Sequence, residues 1–332
     1  MDVDTTVTSG FLANSRVAPL IGLAARRAAE AVPLLFLVSG IAFGLLQLVP
    51  GGPLEVYLSN PGVRAEDLER LRRALGLDRS VGEQYVSWLA AFVRGDWGFS
   101  FSDGRPVFDR IVERLPASIE LLAASLVLAL SAAIPAGMVA ALTRRSLIDR
   151  SISTVAAVGI SMPTFWLGLM LQLTFTIALG WLPSSGRGAD STGIARLQYL
   201  IMPAAVLAFA HAAAWSRYLR ASLIDVLNAP FMAAARARGA GARVCLTRHA
   251  LPNALAPMAA VALLDVALLV PGAVVTESVF AWPGVGSLFT EALARRDYTV
   301  LMALLMVSSV AVVIFNLIAD LLHAWIDPRL TS

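Results

Sequence analysis

The stretch Phe231-Met-Ala-Ala-Ala-Arg-Ala-Arg-Gly-Ala-Gly-Ala-Arg-Val-Cys-Leu-Thr-Arg-His-Ala-Leu-Pro252 is a polar, arginine-rich segment between two long apolar runs. Its run of alanines favours a short helix with a slim surface. Gly239 and Gly241 interrupt that helix and let another backbone come close. A second short helix is expected through His249, with Pro252 limiting it. The segment therefore predicts a helix–turn–helix elbow, and its role depends on what the two apolar runs do.

The composition indicates that the apolar runs cross a membrane. The chain of 332 residues is 58% apolar and 15% charged, with a mean hydropathy of +0.73. Soluble domains carry charge on about a quarter of their residues. A protein core of this length cannot absorb the apolar excess, so hydrocarbon is the expected solvent.

Six runs are long enough to cross the hydrocarbon as helices. They lack the alternation of a membrane barrel, and backbone groups in lipid must pair internally. The sequence therefore predicts an all-α membrane protein. The expected spans are Ala28–Val49, Ala117–Leu142, Ile152–Leu179, Tyr199–Leu219, Ala254–Val279 and Val300–Leu322.

The distribution of arginines predicts the orientation. Arginines flank the first span on its N-terminal side, fill the loop between spans 2 and 3, and stud the segment between spans 4 and 5. By the positive-inside rule these loops and both termini face the cytoplasm. Residues 1–20 are polar and are expected to form a mobile cytoplasmic tail, and residues 21–332 to form the membrane domain.

The long segment 50–116 follows the first span and is predicted to be a small helical insertion on the outer face. Its expected helices are Ala65–Leu75, a helix from a capping box at Ser80 to Arg94, and Pro106–Leu115. Two interpretations of this insertion remain open: a loop without function of its own, or a docking surface for an outer partner.

The sequence lacks the motifs that indicate nucleotide binding, hydrolysis or metal binding. The chain contains no Lys, so it has no phosphate-binding loop of the G-x-x-x-x-G-K-[ST] type. It also has no G-x-S-x-G motif and no metal-ligand spacing. Its single cysteine, Cys245, is interpreted as a small apolar filler. We therefore predict no catalytic residue, no metal site, no cofactor in this chain and no nucleic-acid partner.

Three polar residues inside the spans are candidates for a translocation path: Asp265, His211 and Gln172. A charge inside a bilayer costs several kcal/mol, so it normally faces protein or water. Asp265 could line a solute path, pair with a neighbouring subunit or pair with His211. A proton-coupled secondary transporter that uses Asp265 and His211 is the alternative function. Asp320, near the inner end of span 6, is expected at the interface.

The elbow resembles a loop found in permease subunits of binding-protein-dependent ABC importers. That loop reads E-A-A, three residues, Gly, nine residues, I-x-L-P. Here Ala233-Ala234-Ala235, Gly239 and His249-Ala-Leu-Pro252 fall at this spacing, with Ala233 in place of Glu and His249 in place of Ile. The peptide/nickel transporters of this superfamily have loops similar to Ala235-Arg-Ala-Arg-Gly239 and His249-Ala-Leu-Pro-Asn-Ala254.

Other stretches resemble the same family, and the long segment after span 1 is typical of the first, B-type, permease of dipeptide and oligopeptide systems. The resemblance covers almost everything after residue 20. The matching stretches are Leu75–Asp78, Gly95–Ser100, Arg114–Leu121, Glu277–Gly286, Arg296–Tyr298, Asn316–Asp320 and Asp327–Arg329.

The resemblance implies a type I importer fold and a non-catalytic permease subunit in the bacterial cytoplasmic membrane. It also implies a second homologous permease, two ATPase subunits that bind ATP and Mg, and an extracytoplasmic peptide-binding protein. Segment 229–252 would be the cytoplasmic coupling loop. The residues expected to contact an ATPase are Ala233, Ala234, Ala235, Arg236, Arg238, Gly239, Arg243, His249, Leu251 and Pro252.

Overall fold

The computed structural model describes residues 5–49, 65–74, 76–188 and 193–326. The regular secondary structure of these residues is helical, apart from one isolated β-bridge between Phe99 and Pro106. Two π-helical segments, Gln172–Ala178 and Cys245–Ala250, interrupt the α-helical pattern. The α-helices are α1 (Thr5–Gln47), α2 (Ala65–Ala74), α3 (Val81–Val93), α4 (Val107–Leu142), α5 (Leu147–Ser161), α6 (Thr164–Leu171), α7 (Ile194–Leu227), α8 (Pro230–Ala237), α9 (Ala242–Val244), α10 (Leu251–Val279), α11 (Val285–Ala294) and α12 (Tyr298–Ile326).

The all-α membrane fold is confirmed, but the third predicted span is not a single straight helix. Within the described residues, five helices are long and apolar enough to span a membrane, and one bent pair raises the number to six. The bent pair is Leu147–Ser161 with Thr164–Ala178, at an angle of 108°. Pro163 causes the break, because a proline pushes the preceding residue out of the helical region, and Met162 is extended.

Pro116 does not end a helix, although the sequence suggested separate helices before and after it. The predicted outer helix Pro106–Leu115 and span 2 are one helix, α4. Side chains on both sides of the proline are held by packing: Val107 and Ile111 in one buried cluster, and Ala117 and Leu121 in another. Such packing compensates for the backbone hydrogen bond that a proline removes.

Helix α1 is longer than the span predicted within it. It has 43 residues, about 65 Å at 1.5 Å per residue, or roughly twice the hydrocarbon thickness. The backbone is helical from Thr5, within the segment expected to be a tail, whereas the side chains before Leu20 lie outside the described residues. Arg27 in α1 pairs with Asp320 in α12 at 2.9 Å, which joins the N-terminal and C-terminal spans.

Helix α7 is the centre of the bundle and packs against α4, α5 and α10. Glycine permits the closest approach: a Cβ at Gly137 in α4 would lie 2.7 Å from the Ser216 carbonyl oxygen in α7. Gly159 in α5 similarly faces Phe209, where a Cβ would lie 3.0 Å from the ring. Small residues at helix contacts are typical of membrane bundles, which gain little from apolar burial between helices.

The helical insertion after the first span packs on α1 through α3. The predicted capping box is confirmed: the backbone N–H of Glu83 donates to Ser80 Oγ at 3.4 Å, and that of Ser80 donates to Glu83 Oε2 at 3.0 Å. The Ser80 hydroxyl also donates to Glu83 Oε2, at 2.9 Å, and this bond together with that of the Ser80 N–H lowers the pKa of the Glu83 carboxyl. Tyr85 lies 2.8 Å from Ser39 Oγ in α1.

Candidate functional site

The elbow begins at α8 and continues without a break into the fifth span. After Gly239 and Gly241 come α9, the π-helical segment Cys245–Ala250 and then α10. The prediction that Pro252 limits the second short helix is wrong. Pro252 has no backbone N–H and cannot donate a hydrogen bond within the helix. The wider π-helical turn just before it is a usual place for such an interruption in a helix that continues.

One face of the elbow is anchored in the core. Met232, Ala235, Cys245 and Ala250 are buried and belong to the cluster that contains Leu219 and Leu223 of α7. Complete burial of a methionine side chain stabilises by roughly 1.5–3 kcal/mol. This anchoring makes the elbow a rigid extension of α7 and α10. It also corrects one prediction, because Ala235 faces the core rather than the outer surface.

The opposite face is cationic and partly apolar. Ala233, Ala234, Arg236, Arg238, Gly239 and Arg243 are exposed. Phe231 and Val244 each remain 45% exposed. Arg236 donates to the Leu227 carbonyl oxygen at 3.3 Å. Among the described residues no carboxylate forms an ion pair with Arg238, Arg243 or Arg248, so their donors are available to another molecule.

The turn of the elbow requires one glycine but not the other. Gly239 has φ +83, a left-handed conformation that favours glycine. Gly241 has φ −65, which any residue adopts. The end of the elbow is less accessible than its turn: His249 and Leu251 are half-buried, whereas Pro252 is exposed.

The structure brings two of the three path candidates together, through a tryptophan. Trp215 Nε1 in α7 donates to Asp265 Oδ2 in α10 at 2.8 Å. The His211 ring meets the Trp215 ring edge-on, with centroids 5.6 Å apart. Asp265 therefore pairs with Trp215 and not directly with His211.

Gln172 lies apart from that pair. Its Nε2 donates to the Ser184 carbonyl oxygen at 2.8 Å and to the Val279 carbonyl oxygen at 3.1 Å. The amide group thus ties the loop after the π-helical segment to the end of α10. Its nitrogen is already engaged in backbone contacts.

Two buried carboxylates at the opposite end of the bundle from the elbow were not among the predicted site residues. Glu277 is fully buried and accepts from Ser118 Oγ at 2.6 Å and from the Ser287 N–H at 3.0 Å, near the start of α11. A glutamate six residues before the Pro283-Gly284 turn, at the end of an apolar span, is the sequence signal that could have found it. A Cβ at Gly284 would lie 2.3 Å from this carboxylate.

Asp297 is the second buried carboxylate and fixes the loop before α4 to the start of α12. It accepts from Ser100 Oγ at 2.5 Å and from the Phe101 N–H at 3.2 Å, and Arg110 lies 3.6 Å away. Asp103 also faces Arg110, at 3.5 Å. Burial tends to raise the pKa of Asp103, but the Arg105 N–H, the Ser100 hydroxyl and the Arg110 guanidinium outweigh it and lower the pKa.

The elbow end of the bundle has its own ion pair. Arg220 of α7 donates to both carboxylate oxygens of Asp149, at 2.6 and 2.8 Å. Bidentate pairs of this kind fix geometry as well as charge. The pair locks the start of α5 to α7, close to the elbow. In the described part of the chain, no group of three or more His, Cys, Asp or Glu side chains could hold a metal ion.

A bundle of apolar helices with a broken span and an anchored cationic elbow defines a multi-pass membrane permease. Residues 133–332 match the family of binding-protein-dependent transport system inner membrane components, and residues 20–122 match the N-terminal region of such components. The chain belongs to this family of ABC transporter permeases.

Curated relatives are similar over nearly their whole length. The oligopeptide transport system permease protein AppB of Bacillus subtilis (strain 168) is 37% identical over 309 residues, which are 92% of this chain and 98% of the relative. The glutathione transport system permease protein GsiC of Escherichia coli (strain K12) is 36% identical over 299 residues, with 90% and 95% covered.

Solved structures share the fold at low identity. The inward-facing MetNI methionine ABC transporter matches with a TM-score of 0.54 and 18% identity, over 68% of this chain and 98% of that one. An amino acid ABC transporter crystallised with histidines matches with a TM-score of 0.50 and 15% identity, over 65% and 94% of the two chains. The proton-coupled alternative has no support in these matches.

Proposed function

We propose that this chain is one of two permease subunits in an ATP-driven peptide importer. It forms half of the translocation path with a second, homologous permease. Two ATPase subunits hold ATP and Mg on the cytoplasmic side, and an extracytoplasmic binding protein delivers the peptide. The named functions of the relatives, oligopeptide and glutathione transport, support this substrate class.

The exposed face of the elbow is the observation that carries the proposal. It combines unpaired arginines with Phe231 and Val244, which remain 45% exposed beside slim alanines. Arginine and aromatic side chains are enriched at the energetic centres of protein interfaces. We assign this surface to the groove of an ATPase subunit.

The anchoring of the elbow supplies the mechanism. Because Met232 and Ala235 are buried against α7, a force on the elbow moves α7 and α10 with it. Closure of the ATPases would therefore rotate these helices as rigid bodies and switch the path between inward-open and outward-open states. The solute biases that equilibrium only through its different affinities for the two states.

The charge distribution supports a cytoplasmic elbow and cytoplasmic termini. The loop between α4 and α5 carries Arg144 and Arg145, and Arg150 lies in the first turn of α5. The Asp149–Arg220 pair lies at the same end as the elbow. The Arg27–Asp320 pair joins the helices that lead to the two termini. Short loops rich in arginine remain on the cytoplasmic side.

Reconstitution tests the proposal. The chain would be purified with its second permease and ATPases, placed in vesicles, and supplied with the binding protein and labelled peptide. Arg238→Glu together with Arg243→Glu reverses two exposed charges without touching the buried face. We expect ATP-driven uptake to fall by about tenfold or more, since a desolvated charge pair contributes about 1.5–7 kcal/mol in some interfaces.

Arg79→Glu on the outer insertion is the matched control, because Arg79 is also exposed but lies far along the chain from the elbow. The control should retain uptake and ATP hydrolysis. If the double variant retained wild-type uptake with normal expression and assembly, the elbow would not be the coupling site.

A further inference from the structure

Asp265 has one oxygen fixed and the other free. Oδ2 accepts the indole N–H of Trp215, which is 0% exposed and has no other acceptor in the described residues. Oδ1 makes no hydrogen bond or ion pair within the described part of the chain. Asp265 is half-buried, and Oδ1 is not among the enclosed unpaired atoms. Its free oxygen therefore reaches the surface of the chain.

His211 provides a second acceptor beside the same indole. Its Nδ1 lies 2.9 Å from the Leu207 carbonyl oxygen. A carbonyl oxygen only accepts, so Nδ1 carries the hydrogen. In the neutral ring Nε2 is then an acceptor, and it too has no partner and is not enclosed among the described residues. Two open acceptors thus flank Trp215.

The accessible face of α7 shows that these acceptors do not open into lipid. Residues three or four apart share one face of a helix, and this face runs from His211 past Tyr218 to Asp225. Tyr218 and Asp225 on it are exposed. Charged groups inside a membrane protein face water or protein, so a strip with these residues lines a polar passage or a partner.

The position of Asp265 suits a passage that ends at the elbow. It lies in the middle of α10, beside the segment of α7 that packs on Gly137 of α4. Gly137 is five residues from the end of α4 that leads to the Arg144 loop. The acceptor pair is therefore in the elbow half of the bundle, between the predicted solute entrance and the cytoplasm.

We propose that Asp265 and His211 form a binding site for a primary ammonium group, the N-terminus of the translocated peptide. This inference rests on the proposed function, which supplies the peptide. An ammonium group has three donors and one charge, so it fits one carboxylate oxygen and one imidazole nitrogen. Trp215 acts as a positioning residue, because its hydrogen bond holds the carboxylate in place.

Protection from chemical labelling tests the site. The assembled transporter would be treated with a hydrophobic carbodiimide, which couples to accessible carboxylates, and labelling of Asp265 would be followed by peptide mass spectrometry. The protectants are alanyl-alanine amide and N-acetyl-alanyl-alanine amide, which differ in the ammonium group. We expect the free amine to slow labelling by about fivefold at saturation, equivalent to about 1 kcal/mol, and the acetylated compound to have no effect.

Asp225 in the same sample is the matched control, since it is an exposed carboxylate on α7. Its labelling rate should be the same in the presence of either compound. The Asp265→Asn variant should lose the label at this position while retaining an acceptor for Trp215. Equal protection by both compounds, or by neither, would overturn the proposal. Labelling of Asp265 that appears only after the second permease is removed would also overturn the proposal and assign Asp265 to a pair with that subunit.

ATP-driven peptide uptake measured on the same preparation separates this inference from the proposed function. Uptake without amine-specific protection would refute the ammonium site and leave the importer intact. An absence of ATP-driven uptake in the unmodified transporter would refute the importer itself.

Discussion

At the scale of single residues, Gly284 shows how closely side chains pack at the end of the bundle opposite the elbow. A Cβ there would lie 2.3 Å from the carboxylate of Glu277, which is fully buried and bonded to Ser118 and Ser287. Gly284→Ala must therefore displace a satisfied buried carboxylate, and we expect a loss of about 1–3 kcal/mol or more of stability. Thermal unfolding in detergent would measure it.

Gly82→Ala is the control, because nothing lies within 4 Å of a Cβ at Gly82 and its backbone is helical. That variant should match or exceed the wild type, since alanine is the better helix former. A Gly284→Ala protein as stable as Gly82→Ala would mean that Glu277 is not held as described.

Asp103 gives the residue-scale prediction for pH. Its pKa is lowered against the effect of burial by Arg105, Ser100 and Arg110. A carboxyl with a lowered folded-state pKa adds stability above its unfolded value, about 3.9, and loses it as pH falls through the folded value. The difference in unfolding temperature between wild type and Asp103→Asn should thus shrink below about pH 4. A constant difference from pH 7 to pH 3 would contradict this.

At the scale of elements, the elbow was predictable in outline but not in its join to α10. Alanines, two glycines and flanking apolar runs predict a helix, a turn and a second helix. They do not reveal that Ala235 faces the core or that a π turn carries the chain past Pro252. Those outcomes depend on packing against α7, which sequence spacing does not contain.

The two glycines of the elbow make a matched pair for the next prediction. Gly239 has φ +83 and Gly241 has φ −65, and neither has an atom within 4 Å of an added Cβ. Gly239→Ala should therefore cost roughly 1–2 kcal/mol of local conformational energy, whereas Gly241→Ala should cost little. We expect the first variant alone to lower the ratio of peptide uptake to ATP hydrolysis in reconstituted vesicles. Equal ratios for the two variants would show that the shape of the turn is unimportant.

The third span shows the limit of hydropathy at the element scale. Residues 152–179 are apolar enough for one span, and counting them gives six spans. The described structure bends by 108° within this run, between Ser161 and Thr164. The signal was Pro163, but Pro116 inside α4 carries the same signal without a break. Only the contacts on either side of each proline distinguish the two cases.

At the scale of the whole molecule, the fold depends on neighbours that are not in this chain. In the apolar window of α1 only 11% of residues are buried, and large apolar side chains such as Phe36, Leu37 and Ile41 are more than half exposed. We expect lipid and a second permease to bury these apolar side chains. The apolar helices and the cationic elbow were predictable from sequence, because both depend on local composition. The Asp265–Trp215 contact was not, since 50 residues separate its partners.

The central claim, that the elbow docks on an ATPase inside the cell, is most directly tested by cross-linking. Cys245, the single cysteine, is buried, so Arg238→Cys would supply one exposed thiol on the elbow and Arg79→Cys one on the outer insertion. The assembled transporter would be treated with a short thiol–amine cross-linker in inside-out and right-side-out vesicles. We predict that Cys at position 238 cross-links to the ATPase subunit and reacts with an impermeant reagent only in inside-out vesicles, and that position 79 does neither. Reaction of position 238 from outside the cell, or no link to the ATPase in an active complex, would contradict the account.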